Sequence, residues 1–580
     1  MSSPSAPQGR SLARDLMPIL AMVLVAVALL VVASWLESTP GADHDPRGWL
    51  RRLEHGSAAS LLGVAAQLVA GVLAIAITVA AIVVELAANR YTHRITQLYI
   101  RHPATFLVMG LYVGTTLVCL WLAAVPDLGS EGPARVPRAG LVVGLSLVSL
   151  CLVALLPYFG FLFRFLAPTN VIARIQGEAI ALVQRARRRT VPGTRAGVIE
   201  AIEEIEDVAR SARENSDRSV SMAAISALAG LVREYVPLRG ELPDSWFEIE
   251  GALARDPDFV SMAPVTVAEI REQRLWLETK VLRQYWALFG ESLGDARDIA
   301  NLIALETRQL GIEAIGRHPG LLALVIRFFN SYLRAAVNAR DVRSAYYVLD
   351  QYRLLGEATL AAGERARTLE IAGHLRYYGQ LGYGMGQSFL LEAVAHDLGR
   401  LVERAVEAGR PEATVLLDLF LQVDREPESP EQEERLRGVR RAQVQLATFF
   451  LARGDEASAR RIFEDMKDER SERLAAVRAE LEAEERAQYW EFTDRGVNFS
   501  YLPPEQRVHL ARFFSWFGRA LGVVWLCIGL GCGAPPVDRA GPVADWPAYG
   551  GDGAVVTKGT DLFRNELAGA RRFALRMRSS

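Results

Sequence analysis

Hydrophobic positions along this chain follow two regimes. Before residue 170, four runs (Leu16–Leu36, Leu61–Val84, Thr105–Val125 and Ala139–Phe163) contain no Asp, Glu, Lys or Arg. Each has at least 21 residues. About 20 helical residues, rising 1.5 Å apiece, span the hydrocarbon core of a bilayer. From about Val171 to Phe513 apolar residues instead recur every three or four positions, as in Val198, Ile199, Ile202, Ile205 and Val208. Leu398, Leu401, Val402, Ala405 and Val406 repeat that spacing, which belongs to amphipathic helices. Alternating β-branched runs are nearly absent. The pattern predicts an all-α protein. A four-helix transmembrane bundle within residues 16–168 follows a short tail (1–15), and a helical domain of hairpins, or a solenoid-like array, covers 170–512. An apolar segment at 513–533 and a flexible tail at 534–580 complete the expectation.

Breaks divide the helical region at Val191–Thr194, Pro237–Pro243, Asp256–Pro264, His318–Gly320, Tyr378–Gly386 and Asp424–Pro430. These punctuate it into helix pairs.

Charge flanks set the expected orientation. Arg10 and Arg14 precede the first run, Arg90, Arg94 and Arg101 lie between the second and third, and Arg164, Arg174, Arg185, Arg187, Arg188 and Arg189 follow the fourth. The remaining connections carry fewer arginines. Arginine favours the cytoplasmic side, so the N-terminus and the large domain are expected in the cytoplasm. The first run is too long for a secretory signal and lacks a small-residue cleavage site, so it reads as a retained span. The Arg185–Arg189 cluster serves as a topology signal and is suited to touching anionic lipid.

Small residues mark where spans are expected to meet. Gly110 and Gly114 form one GxxxG, Gly140 and Gly144 another, and Ala66, Ala70 and Ala74 recur with Thr78 every four residues. Helix backbones in lipid approach closely at such positions. Packing within one chain is favoured, with homo-oligomerisation as the other option. Ionisable groups at membrane depth are missing from all four runs, which weakens a channel or transporter reading.

Composition changes the picture only slightly. The net charge is −2, which gives no bias toward nucleic acid. Only three of the 65 basic residues are lysines (Lys280, Lys467 and Lys558), a usage that points to a GC-rich bacterial source. The four cysteines, Cys119, Cys151, Cys527 and Cys532, sit in apolar stretches without disulfide or metal-knuckle spacing. No phosphate loop, HExxH or nucleophile elbow occurs. The glycine-rich Gly379–Gly386 follows no strand and is expected to be a turn. His374, Glu392 and His396 lack zinc-site spacing. Neither catalytic residues, nor cofactor, nor metal is assigned, and the chain is not expected to be an enzyme.

Several stretches resemble known families. Val84-Glu-Leu-Ala-Ala-Asn-Arg-Tyr-Thr-His-Arg-Ile95, closing the second run, and Asn215–Leu228 are similar to segments of an uncharacterised bacterial family of predicted multi-span membrane proteins. The likeness covers roughly residues 10–235 and implies topology, not mechanism. Leu446, Ala447, Phe450, Gly454, Ala459 and Phe463 resemble a tetratricopeptide repeat unit near 443–466, with weaker versions at Asn338–Val348 and Ala408–Leu416. Their turns, near Asp341, Gly409 and Gly454, are unevenly spaced. Such surfaces bind peptides or proteins, so a protein partner is expected there. Finally, Gly529-Leu-Gly-Cys532 looks like a lipoprotein signal. Asp545-Trp-Pro-Ala-Tyr-Gly-Gly-Asp552 with Arg572–Ser580 resembles the opening of pyrroloquinoline-quinone-dependent dehydrogenases. A propeller needs several blades, so this implies a fused or truncated fragment without activity. Phe513–Cys532 is a candidate short fifth crossing.

The expected whole is a bacterial inner-membrane protein whose helical cytoplasmic domain binds another protein. An oligomeric channel is the alternative.

Overall fold

The computed structural model describes residues 55–90, 96, 99–100, 102–124, 138–188, 193–251, 253–424, 436–488 and 495–518. The chain divides into two units, Met1–Trp516 and Phe517–Ser580, and only the first two residues of the second are described. The run Leu16–Leu36, the Arg189 end of the arginine cluster, Cys527, Cys532 and the quinoprotein-like tail all lie outside the described residues. Among the described residues every regular element is helical and no strand occurs.

Three long apolar helices pack together: α1 (His55–Arg90), α2 (Pro103–Ala124) and α3 (Arg138–Phe165). In α1 the sequence sorts itself by side. Leu62, Ala65, Ala66, Val69, Ala76 and Ala80 are buried against α2 and α3, whereas the large side chains Val64, Leu68, Ile75, Val79 and Ile82 face outward. Outward-facing isoleucine and valine suit hydrocarbon and would be costly in water, so the surface matches a bilayer. α2 and α3 are fixed by a hydrogen bond from Tyr112 Oη to the carbonyl oxygen of Cys151 (2.7 Å). In an apolar medium that bond has no competing water.

Only Leu166 and Ala167 separate α3 from α4 (Pro168–Arg188). Pro168 has no N–H to continue the ladder and disfavours helix at the residue before it, so the chain must break here. Asn170 Nδ2 donates to Arg164 O across the break at 2.7 Å. The Arg174 guanidinium lies 4.0 Å from the centre of the Phe165 ring, and His102 packs on Phe161 and Phe165. An aromatic collar thus sits where the apolar helices meet the rest of the molecule.

From α4 onward the helices form two rows. α5 (Thr194–Glu214), α6 (Arg218–Tyr235), α7 (Pro264–Glu272), α8 (Trp276–Ser292), α9 (Arg297–Ala314), α10 (Pro319–Asn338), α11 (Val342–Ala362), α12 (Arg365–Gly384), α13 (Ser388–Glu407), α14 (Ala413–Leu421), α15 (Arg437–Ala452), α16 (Glu456–Met466) and α17 (Ser471–Ala483) succeed one another. Most of the long helices pack on the next one and on the next but one. α4, α6, α9, α11, α13 and α15 make one row, and α5, α8, α10, α12 and α14 make the other.

One turn is used again and again. Ser216, Arg274, Arg340, Gly363, Gly386, Gly409 and Gly454 all have left-handed φ, between 55° and 81°. The N–H of the residue after each one bonds the carbonyl five positions back, as in Asp217 N to Ala212 O (2.7 Å) and Gln387 N to Gly382 O (2.8 Å). This is the Schellman closure of a helix C-terminus. Asp217, Asp341 and Asp455 then cap the next helix by accepting from the N–H three residues on. Arg340, Gly363, Gly386 and Gly409 follow at intervals of 23 residues. Counting Gly363 and Gly386 makes the turns from Arg340 to Gly409 evenly spaced, and Gly454 follows 45 residues after Gly409.

Candidate functional site

Small residues in the membrane helices do not all lie where spans meet. Gly144 is a close approach: a Cβ there would stand 2.8 Å from Leu62 Cδ2. Ala66 is buried in the same cluster. Gly110 and Gly114, in contrast, have open space around the position of a Cβ. The packed side of α2 is instead Thr105, Tyr112, Thr115 and Cys119. Ala70 and Ala74 are exposed, whereas Ala66 is buried. Each step of four overshoots a 3.6-residue turn by about 40°, which places Ala70 and Ala74 about 40° and 80° round the helix from Ala66. Gly140 lies in α3, and its surroundings fall outside the described residues. Cys119 and Cys151 are fully buried, with Cys151 Sγ 3.3 Å from Thr115 Oγ1.

The helices α15 and α16 pack against each other. Leu446, Phe450 and Ala459 are buried between α15 and α16, and Gly454 supplies the left-handed turn between them. Phe463 packs edge-on against Trp516 at 5.8 Å. The glycine-rich stretch is corrected. Gly379 to Gly384 belong to α12, and only Met385 and Gly386 turn. Its glycines serve packing: a Cβ on Gly379 would lie 2.9 Å from Val394 Cβ, and one on Gly382 3.0 Å from Leu390 Cδ1. Phe513 and Phe514, at the start of the apolar segment 513–533, are buried within the first unit.

His374 Nδ1 stands 3.0 Å from Tyr352 Oη and 3.1 Å from Asn330 Nδ2. Glu392 pairs with Arg441. Among the described residues no group of three or more His, Cys, Asp or Glu side chains is arranged to hold a metal ion.

Buried charge is the feature that sequence patterning missed. Lys280 in α8 is 1% exposed and donates to Glu203 Oε1 (2.8 Å), Asp256 Oδ2 (2.7 Å) and Asp258 Oδ2 (2.8 Å). Burial alone would lower its pKa, but these bonds more than offset that and hold the ammonium above the ordinary lysine value. Two residues earlier Glu278, fully buried, receives Arg239 at 3.1 Å, yet burial pushes its carboxyl up to about 7. The sequence signal was a lysine set among Leu277, Val281 and Leu282.

The second charged site involves chain far along in sequence. Residues 495–501, beyond α17, cross three successive helices of one row in a non-helical path. Arg495 Nη1 donates to Asp397 Oδ1 in α13 at 2.7 Å, while its guanidinium lies 3.8 Å from the centre of the Tyr346 ring in α11. Arg353 approaches the same Asp397 oxygen at 3.3 Å and Asp350 at 2.8 Å. Four residues on, Phe499 stacks on His396, with centroids 4.2 Å apart and planes 11° from parallel. It also contacts Phe389 and Tyr346. Gln445 Nε2 in α15 donates to the carbonyls of Phe499 (3.0 Å) and Tyr501 (2.8 Å). Burial and the surrounding guanidinium groups keep His396 neutral, far below the ordinary histidine range. The signal available was a non-helical Gly496-Val-Asn-Phe-Ser-Tyr501 before Pro503-Pro504.

An all-helical fold with long, apolar, outward-facing helices defines a membrane protein. Among the described residues five helices are long and apolar enough to cross a bilayer by length and composition. Two of them, Arg218–Glu241 and Pro319–Asn338, are more than half buried inside the two-row array, which explains their apolarity by packing. The family model described as predicted membrane protein (DUF2254) matches residues 16–234. That match reaches from the first apolar run to the end of α6. No curated protein and no solved structure matches the chain.

Proposed function

We propose that this protein is a bacterial inner-membrane scaffold: a multi-span anchor, N-terminus in the cytoplasm, carrying a cytoplasmic solenoid-like array that binds another protein. The observation that carries the reading is the array itself. Helices stacked in two rows, many of them joined by one repeated turn, present a long, continuous surface, as stacked hairpins do in proteins that recognise peptides or protein partners. Arginine-rich flanks support the cytoplasmic placement. The tetratricopeptide-like unit at 443–466 is one hairpin of that stack. Leu16–Leu36 is taken as the fourth span.

The test is quantitative crosslinking in native membranes followed by purification in mild detergent. A stoichiometric protein crosslinked to residues of α4–α15 supports the scaffold. Ion or solute flux in liposomes from the purified protein alone, with no such partner, would replace it by the channel reading. Protease added to intact cells should leave α4–α17 uncut.

A further inference from the structure

The stretch Arg495–Tyr501 lies on the array the way a bound peptide would. It is irregular rather than helical, with Gly496 at φ 62° and a turn in which Tyr501 N bonds Asn498 O (3.1 Å), and it crosses α11, α13 and α15 of a single row with its side chains entering from outside. Two positions carry the specific contacts. Arg495 is 3% exposed and reaches Asp397, itself 3% exposed, beneath the Tyr346 ring. Phe499 fills an aromatic slot between Tyr346, Phe389 and His396. Gln445 holds main-chain carbonyls, contacts that any sequence could make.

Electrostatics indicates that the slot is built for a cation. Without Arg495, the carboxylates of Asp350, Glu357 and Asp397 face the single guanidinium of Arg353. His396 brings no positive charge, and Asp397 Oδ2 has no hydrogen-bond partner among the described residues. A buried carboxylate left uncompensated costs several kcal/mol, so whatever occupies the slot must bring a guanidinium or ammonium. The planar guanidinium, stacked on Tyr346 and bonded to Asp397 and the Tyr346 carbonyl, favours arginine.

We propose that this cleft is a binding site for non-helical peptide segments carrying arginine four residues before an aromatic residue, and that Arg495–Tyr501 occupies it in cis. The inference rests on the scaffold reading and names the partner chemistry. The bound partner would be an unstructured terminus or loop of another protein that displaces the chain's own stretch. Main-chain contacts supply affinity, and the cation and aromatic slots supply selection. A tethered competitor acts at an effective concentration on the order of millimolar, so the free cleft is revealed only when the tether's grip is weakened.

The experiment uses the full-length protein in nanodiscs and a fluorescent synthetic peptide with the sequence of Arg495–Pro503. The double variant Arg495→Ala/Phe499→Ala is expected to bind the peptide saturably, at least ~10-fold more tightly than the unsubstituted protein. Peptides with alanine in place of the arginine or the phenylalanine should lose that binding. Absence of saturable binding to a cooperatively melting variant overturns the proposal, as does equal binding of the alanine peptides. Should the variant not fold, hydrogen exchange on the unsubstituted protein decides. Faster exchange at residues 495–501 under millimolar peptide supports displacement, and unchanged exchange refutes it. A native partner crosslinked elsewhere on the array, without this motif, would sink the cleft while leaving the scaffold standing. Peptide binding with no native protein partner would do the reverse.

Discussion

The guanidinium of Arg495 meets the carboxylate of Asp397, 98 residues earlier in the chain, at 2.7 Å, with both side chains 3% exposed. Removing one member of such a pair strands the other charge in a poorly hydrated place, a loss of about 3–5 kcal/mol. Arg495→Ala should therefore lower the denaturation midpoint of the purified protein. Asp397→Asn added to it should recover part of the loss. A single-variant loss below about 1 kcal/mol would mean that the pair is effectively solvated.

Lys280 presents the same physics in a denser cluster. Lys280→Met leaves Glu203, Asp256 and Asp258 without their shared ammonium, and the expected loss is again about 3–5 kcal/mol by chemical denaturation. In a double-mutant cycle with Asp256→Asn the two losses should be clearly non-additive.

Glu278 gives the fold a definite pH response. Its folded-state carboxyl titrates at about 7, above the ordinary glutamate value, chiefly because it is buried, with Arg239 opposing. A raised acid pKa means that the folded state keeps its proton longer than the unfolded state does. That contribution is fully present below about pH 4.5 and is lost as pH rises toward 7. Glu278→Gln should flatten the melting temperature between pH 5 and 7.5. A parallel pH profile for both proteins would contradict this assignment. Glu206, raised to about 7 by the same cause, adds a loss of the same sign.

The repeated turn predicts opposite outcomes for two substitutions. Gly409 has φ of 60° and open space around it, so Gly409→Ala should cost about 1–2 kcal/mol through backbone strain alone. Arg340 sits at φ 55° with a side chain, and Arg340→Gly should be neutral or stabilising by up to about 1 kcal/mol. Thermal melts of the two variants check both.

Within the membrane helices, Gly144→Val should lower thermal stability in detergent, because Leu62 occupies the space a side chain needs. Gly110→Val should leave the isolated protein unchanged. Equal effects would point to a neighbour on the Gly110 side.

Much of the architecture was legible in the sequence because periodicity reports burial directly. Apolar runs without charge gave the described spans, and the spacing of Val198 to Val208 gave α5. Glycine was the hardest residue to read. Gly379 and Gly110 look alike as letters, yet one lets α12 approach α13 and the other faces open space. What a glycine touches depends on which helix crosses it, and spacing within one helix cannot say. The cleft was invisible for a related reason. Arg495, Phe499, Asp397 and Tyr346 lie on three separate stretches of chain, and each by itself reads as ordinary solvated or apolar surface.

The even spacing of Arg340, Gly363, Gly386 and Gly409 bears on how this protein changes length. Excising or duplicating two periods would take out or add one matched helix from each row, and the flanking hairpins would meet across an equivalent seam. Homologues are thus free to reach different distances from the membrane by whole-hairpin indels, while insertions of any other size should be confined to loops.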